Sequence, residues 1–380
     1  DEDEDEYQVI KNLIIPRADT KHNLYVIQPI VKWGRHRFKM STPEFRLNEA
    51  VALVHTLPEW KVRHSQIVNC DNFQTKYIFT SGTLERLTGD IKGDPLITAA
   101  FVAVDILQGH QQLALEQKFG VPIFDRYSLI LEIFKLHAKS REAKIQVSLA
   151  EISYLKARVK QYHEKGKNRQ YGFGGRLGGS GESYVERTKQ ILERKSLRLK
   201  AKLKTLSNSR ELLKKKRIIK EIPTIAVIGY TNSGKTSLIK ALTQDSRLIP
   251  RNVLFATLDI TTHAARLPSF SSVLFIDTVG FISNIPTTLI EAFNVTLREA
   301  VSSSLIIHVY DASHEDLLNQ LDTVKKTINL LSVPDKLISS MITVGNKIDL
   351  VDQLKVNLDS SDLLISATKG INLEELVNQI

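Results

Sequence analysis

The sequence predicts an α/β protein in three parts: a small N-terminal α/β domain, a long antiparallel helical hairpin, and a C-terminal α/β domain that carries a phosphate-binding loop. Three observations predict it. Short apolar runs alternate with amphipathic stretches from Tyr7 to about Lys139, the alternation gives way near Arg141 to apolar residues at steps of three, four and seven, and it returns after Pro223. Short apolar runs with helical segments between them mark βα units around a largely parallel sheet, whereas sustained periods near 3.5 residues mark long helices.

Composition bounds what such a chain can be. At ~100 to 200 residues per domain, 380 residues allow two or three domains, and 42% hydrophobic with 25% charged residues excludes disorder throughout. The longest apolar runs, such as Ser304 to Tyr310, fall far short of the ~20 residues that a bilayer crossing needs, so no membrane partner is expected. The lone cysteine, Cys70, has no partner for an internal disulfide and leaves no multi-cysteine zinc site, which points to a reducing compartment. The chain opens on an acidic tail, residues Asp1 to Glu6, without an initiator Met, and the precursor is expected to start earlier.

The first domain, residues 7–140, follows from runs at Leu24 to Val31, Phe45 to Leu57, Val62 to Asn69, Leu84 to Ile91, Ile97 to Val104 and Gln111 to Phe119. Among its histidines, His22, His36, His55, His64 and His110 show no metal-ligand spacing and read as ordinary core or surface residues. The hairpin, residues 141–221, follows from two apolar series. Ile145, Leu149, Ile152, Leu155, Val159 and Tyr162 form the first, and Val185, Leu192, Leu199, Leu206 and Leu213 the second. Between them residues 165–181 hold seven glycines, which exclude a helix and place a loop at the hairpin tip.

Charge singles out the same segment. From Arg141 to Ile222 there are 23 Lys and Arg against 8 Asp and Glu, a balance of +15 that exceeds the net +10 of the whole chain. One basic run is ordinarily a solvated helix face, but a sustained excess attracts a polyanion by releasing counterions from phosphates. A flexible linker is the bland reading of the tip. Its Arg169, Tyr171, Phe173 and Arg176, interleaved with Gly178, Gly179, Gly181 and other glycines, suit RNA better: rings and guanidinium planes stack on bases while glycine admits close backbone approach.

In the last domain, residues 222–380, strand-like runs at Thr224 to Ile228, Val273 to Asp277, Leu305 to Tyr310, Ile342 to Gly345 and Leu363 to Ser366 each precede a chemical motif or a helical segment. Gly229 to Thr236 reads GYTNSGKT, a phosphate loop between strand and helix. Gly229 opens the phosphate-binding set, backbone amides from Asn232, Ser233 and Gly234 through Ser237 can surround the phosphates, Lys235 can reach the β and γ oxygens, and Thr236 can ligate Mg²⁺. Asp277 to Gly280 reads DTVG, with Asp277 able to hold Mg²⁺ through water and the Gly280 amide able to meet a γ-phosphate. Thr257, in FATLD, supplies a second, mobile hydroxyl for the metal. Asn346 to Asp349 reads NKID, where Asp349 can accept from guanine N1–H and N2–H₂, Lys347 can pack over the base, and Ser366 and Ala367 can close the pocket. Adenine would leave the Asp349 carboxylate facing no donors, so the expected ligands are GTP and GDP.

GYTNSGKTSLIKALT, LFATLD, DTVGFISNIP and NKIDL together resemble the GTPase domain of the HflX family of translational GTPases, a Ras-like P-loop fold. VPIFDRYSLILEIF, REAKIQVSLAEI and the loop ending GGSGES extend the resemblance over most of the chain from about Tyr7. It implies GTP hydrolysis, binding to the large ribosomal subunit with the hairpin loop near rRNA of the peptidyl-transferase region, and dissociation of ribosomes, by a monomer. The GSGES ending is nearer to the metazoan mitochondrial branch, described as acting in mitoribosome recycling and large-subunit assembly, which implies the mitochondrial matrix. Ser180 to Ser183 stand where bacterial loops carry a GPGET-like turn, Ile260 to His263 replace Pro-Thr-Thr-Arg, and a small C-terminal domain of some relatives is missing from the expected layout.

Phe281 occupies the place where Ras-like enzymes carry the glutamine that orients water. Phenylalanine cannot hydrogen-bond that water, or alternatively Phe281 only packs the switch segment; on either reading hydrolysis by the chain alone is expected to be slow and to be completed on the ribosome. Two rival functions remain open at this level: a non-catalytic GTP-dependent assembly or anti-association factor, and an RNA-remodelling NTPase, for which there is no second phosphate loop.

Overall fold

A computed structural model describes residues 2–15, 21–31, 41–70, 72–161, 181–219, 222–250, 254–258, 261–268, 272–283, 289, 302–331, 333–351 and 362–380. Contacts divide the chain into two compact units, Asp1–Leu136 with Ile145–Lys204, and His137–Lys144 with Thr205–Ile380. No helix among the described residues is long and apolar enough to cross a membrane.

The first unit holds a four-stranded, all-parallel sheet in the order β2-β1-β3-β4, from β1 (His22–Val31), β2 (Trp60–Cys70), β3 (Ala99–Val102) and β4 (Ile123–Phe124). Four of its helices are α2 (Pro43–His55), α3 (Ser81–Gly93), α4 (Gly109–Phe119) and α5 (Arg126–His137). The inner strands β1 and β3 are buried as near-continuous apolar runs, as a parallel sheet with covered faces requires, whereas β2 at the sheet edge is largely exposed or half-buried. Tyr25, Ile27, Val31, Ala100 and Val102 pack with Leu84, Leu87 and Ile91 of α3 and Leu115 and Phe119 of α4. α2 begins at Thr42, whose hydroxyl accepts from Phe45 N, with Pro43 inside the first turn where its missing N–H costs nothing.

The acidic opening is the start of a helix, α1 (Glu2–Ile14), and not a separate tail. Tyr7, Ile10 and Ile14, spaced three and four apart, are buried, while Glu4 pairs with Lys195 at 2.7 Å and Glu6 with Arg187. Lys195 also sits 3.3 Å from the centre of the Tyr7 ring, whose hydroxyl donates to Glu151 at 2.6 Å. Both predicted hairpin helices exist: α6 (Arg141–Lys156) and the 39-residue α7 (Gly181–Ile219), joined by a Lys156–Glu193 ion pair. The heptad reading of α7 was partly right, since Thr188, Ile191, Leu192 and Ser196 are buried but Leu199 and Leu206 only half-buried. Arg158, just past α6, is 2% exposed, and it bonds Asp125 at 3.1 Å and Gln112 at 3.0 Å while lying on the Tyr154 ring.

The second unit is a six-stranded sheet in the order β10-β9-β8-β5-β7-β6. Its strands are β5 (Thr224–Gly229), β6 (Thr261–Arg266), β7 (Ser272–Asp277), β8 (Leu305–Asp311), β9 (Ile342–Asn346) and β10 (Leu363–Leu364), all parallel except β6, which runs antiparallel to β7. The helices are α8 (Lys235–Thr243), α9 (Leu317–Leu330), α10 (Asp335–Ser339) and α11 (Leu373–Gln379). All five strands expected from sequence are present, and β6, hidden in the polar run TTHAAR, is additional. Because β5 pairs with β7 on one side and β8 on the other, its carboxyl end is a switch point where ligands of open parallel sheets bind.

Candidate nucleotide site

Everything that the sequence nominated in the last domain, within the described residues, meets at that switch point. The loop from β5 to α8 is shaped by two close approaches. Gly229 lies at φ 153°, where a Cβ would stand 2.0 Å from the Val309 carbonyl oxygen, and Gly234 at φ 93°, where a Cβ would stand 2.1 Å from Asn346 Nδ2. Any side chain there would displace the neighbouring strand or the asparagine. Asn232 takes the left-handed conformation at φ 62°. α8 then starts at Lys235, presenting its amino end to a small cleft lined by Asn232, Gly234, Lys235, Thr236, Ser237 and Thr257, among others.

Lys235 is 6% exposed, and its ammonium donates to the carbonyls of Tyr230 at 2.8 Å and Gly229 at 3.3 Å. Burial pushes its pKa down to about 8, against the pull of the Asp277 carboxylate. Asp277, 1% exposed at the end of β7, accepts through Oδ2 from Thr236 at 2.7 Å and Thr257 at 3.2 Å, and the two hydroxyls lie 3.1 Å apart. Its Oδ1 is buried with no hydrogen-bond partner among the described residues, and burial raises the pKa of the carboxyl group. Two hydroxyls and a carboxylate with a spare oxygen, all hard donors, fit a small divalent cation that completes its shell with water and phosphate. No cluster of three His, Cys, Asp or Glu side chains exists among the described residues, so a metal here would depend on such hydroxyls and on ligand oxygens.

The base end is built on the β9 and β10 loops. Asn346, 2% exposed, donates to the Ser233 carbonyl at 3.0 Å and accepts from Ala367 N at 3.0 Å. Sequence reading placed Asn346 only among the guanine contacts; it also ties the phosphate loop to the loop after β10. Ser366 Oγ donates to Asp349 Oδ1 at 2.6 Å, fixing that carboxylate, and Lys347, left-handed at φ 65°, extends its ammonium to Asp311 Oδ2 at 2.6 Å.

Phe281 is 3% exposed, and its backbone continues the line of β7 beside the phosphate loop: Phe281 N donates to Gly229 O at 3.0 Å, and Thr231 N to Phe281 O at 2.6 Å. That agrees with a packing role for the ring. Sequence reading missed Tyr230, whose hydroxyl donates to Ser283 Oγ at 2.9 Å and accepts from Ser283 N at 2.8 Å, pinning the segment after Gly280. At the hairpin, Arg169, Tyr171, Phe173, Arg176, Gly178 and Gly179 lie outside the described residues, and Gly181 is the first residue of α7.

A parallel sheet with β6 reversed at its edge, a phosphate loop at the switch point and an Asn-Lys-x-Asp loop beside it define a P-loop GTPase. Comparison with known proteins agrees. Residues 224–347 match the family described as 50S ribosome-binding GTPase, residues 44–135 the GTP-binding GTPase N-terminal family, and residues 137–217 the GTP-binding GTPase middle region. A relative named "Putative GTP-binding protein 6", from Xenopus laevis, is 42% identical over 360 residues, spanning 94% of this chain and 68% of its own. A GTPase HflX from Lacrimispora saccharolytica is 39% identical over 286 residues, spanning 74% of this chain and 66% of its own. A GTP-binding protein of Sulfolobus solfataricus, solved in complex with GDP, is 26% identical at a TM-score of 0.45, over 93% of this chain and 96% of that one. The chain belongs to the HflX family of GTPases; it binds GTP and hydrolyses it.

Proposed function

We propose that this GTPase binds the large ribosomal subunit, in the mitochondrial matrix, and uses GTP to drive subunit dissociation or large-subunit assembly. The observation that carries the nucleotide half of this reading is the convergence of Thr236, Thr257 and Asp277 beneath Lys235. In the reading, amides of Asn232 to Ser237 hold the phosphates of GTP, and Lys235 leaves the Tyr230 carbonyl for their oxygens. Thr236, Thr257 and, through water, Asp277 would hold Mg²⁺, which would supply positive charge beside the phosphates. Asp349, fixed by Ser366, reads the guanine edge, while Asn346, Lys347 and Ala367 complete the pocket. Gly280 senses the γ-phosphate, so that GTP and GDP place the segment after it differently.

The buried Phe281 offers no hydrogen bond to an attacking water, which supports slow turnover alone and stimulation by the subunit. The basic hairpin supports rRNA as the partner, with helices on phosphates and residues 169–181 supplying local fit. Likeness to the metazoan mitochondrial branch in the GYTNSGKT and GSGES wording supports the compartment, and a monomer is the simplest working form. Co-sedimentation with purified large subunits in GTP, GDP and a non-hydrolysable analogue tests the reading. Retention is expected with GTP and the analogue and loss with GDP; equal pelleting in all three would contradict it.

A further inference from the structure

We propose that Asp311 is the positioning residue that sets Lys347 for purine stacking. This rests on the nucleotide-pocket reading above and extends it to a residue outside the motifs. Asp311 ends β8, is 8% exposed, and uses its two carboxylate oxygens differently. Oδ2 receives the Lys347 ammonium at 2.6 Å, and Oδ1 accepts from Ser313 Oγ at 2.6 Å and Ser313 N at 3.0 Å. The next residue joins in, since Ala312 N donates to the Asn346 carbonyl at 2.9 Å. The carboxylate is thereby locked by Ser313 on one side and presents a fixed anion to the lysine on the other.

A lysine stem makes a flat apolar wall for a base only if both of its ends are held. The near end is held by the left-handed backbone of Lys347, at φ 65°, with Ile348 N bonded to Ile365 O at 3.1 Å. Without a partner the ammonium would sample many rotamers in water, and ordering it would weaken nucleotide binding. Asp311 supplies that partner before the nucleotide arrives. The charge-assisted bond also leaves the wall of the pocket near neutral, which suits a stacked purine. The lysine stem meets the face of the ring, so Asp311 acts on any purine held there, whereas Asp349 distinguishes purines by their edges.

Release of GDP and of inosine diphosphate, which lacks the 2-amino group, from Asp311→Asn tests the idea by stopped-flow with labelled nucleotides. Release should be about tenfold faster for both, with their ratio unchanged, the scale of one charge-assisted bond. In a Lys347→Met background, Asp311→Asn should add less than about twofold, because the ammonium it serves is gone. Release at the parent rate, or an equal acceleration in the Lys347→Met background, would overturn the proposal. Should Asp311→Asn fail to fold, Ser313→Ala decides: it keeps the ion pair, frees Oδ1, and should speed release of both nucleotides by about threefold, less than loss of the charge itself. Unchanged release from Ser313→Ala would then overturn it. A parent chain that binds no GDP would instead remove the pocket reading on which this rests.

Discussion

Asn346→Ala puts the architecture of the pocket to a quantitative test. The side chain links the phosphate loop to the base loop, through Ser233 O and Ala367 N, both at 3.0 Å. Ser233 is 1% and Ala367 9% exposed, so water does not readily replace either partner. Each buried group left unpaired costs about 1–3 kcal/mol, which sums to roughly 2–4 kcal/mol if the loops relax in part. The loss divides between folding stability and nucleotide affinity, because bound nucleotide spans both loops and must then order them itself. An equal division gives about 1–2 kcal/mol in affinity, or a five- to thirtyfold rise in Kd for GDP. Fluorescence titration with labelled GDP, alongside a thermal melt of the free chain, measures both parts. A Kd within about twofold of the parent together with an unshifted melting temperature would show that the two loops are held by something else.

Three further outcomes are expected. Asp349→Asn should reduce the preference for guanine by about 1–3 kcal/mol, read by competition between GDP and xanthosine diphosphate; an unchanged preference would refute the edge-reading role. Burial holds the His308 ring at about 4 against its ordinary 6.5, so the unfolded chain takes up a proton in that interval that the folded chain refuses. Stability should therefore fall as pH drops below 6.5, by about 3 kcal/mol at pH 4, and His308→Leu should flatten the dependence of the melting temperature on pH; a slope unaltered in that variant would assign acid sensitivity elsewhere. Replacing Arg169 to Gly181 by a short Gly-Ser turn should preserve GDP affinity and abolish subunit splitting or assembly activity, and a variant that retains full activity would reduce the tip to a linker.

The nucleotide site was legible because its chemistry constrains sequence over a few consecutive residues. Gly229 and Gly234 have to be glycine for backbone to approach strand β8 and Asn346, and their spacing with Lys235 alone exposes the loop. What stayed hidden depends on pairings between distant segments. Asp311 shows only as a carboxylate closing an apolar run, and nothing local announces that Lys347 ends on it. β6 was invisible because an edge strand exposes alternate residues, and TTHAAR lacks a clear apolar face. Glu4 and Glu6 read as part of an acidic tail because the apolar residues that make α1 a helix, Tyr7, Ile10 and Ile14, begin only after them, and the basic partners lie on α7.

The central claim is that a GTPase lacking a water-orienting glutamine completes hydrolysis on the large ribosomal subunit, and GTP turnover by the chain with and without purified large subunits tests it most directly. Slow release of phosphate by the chain alone, accelerated at least about tenfold by large subunits, is the expected result. Turnover that is already fast alone, or that large subunits leave unchanged, would contradict it.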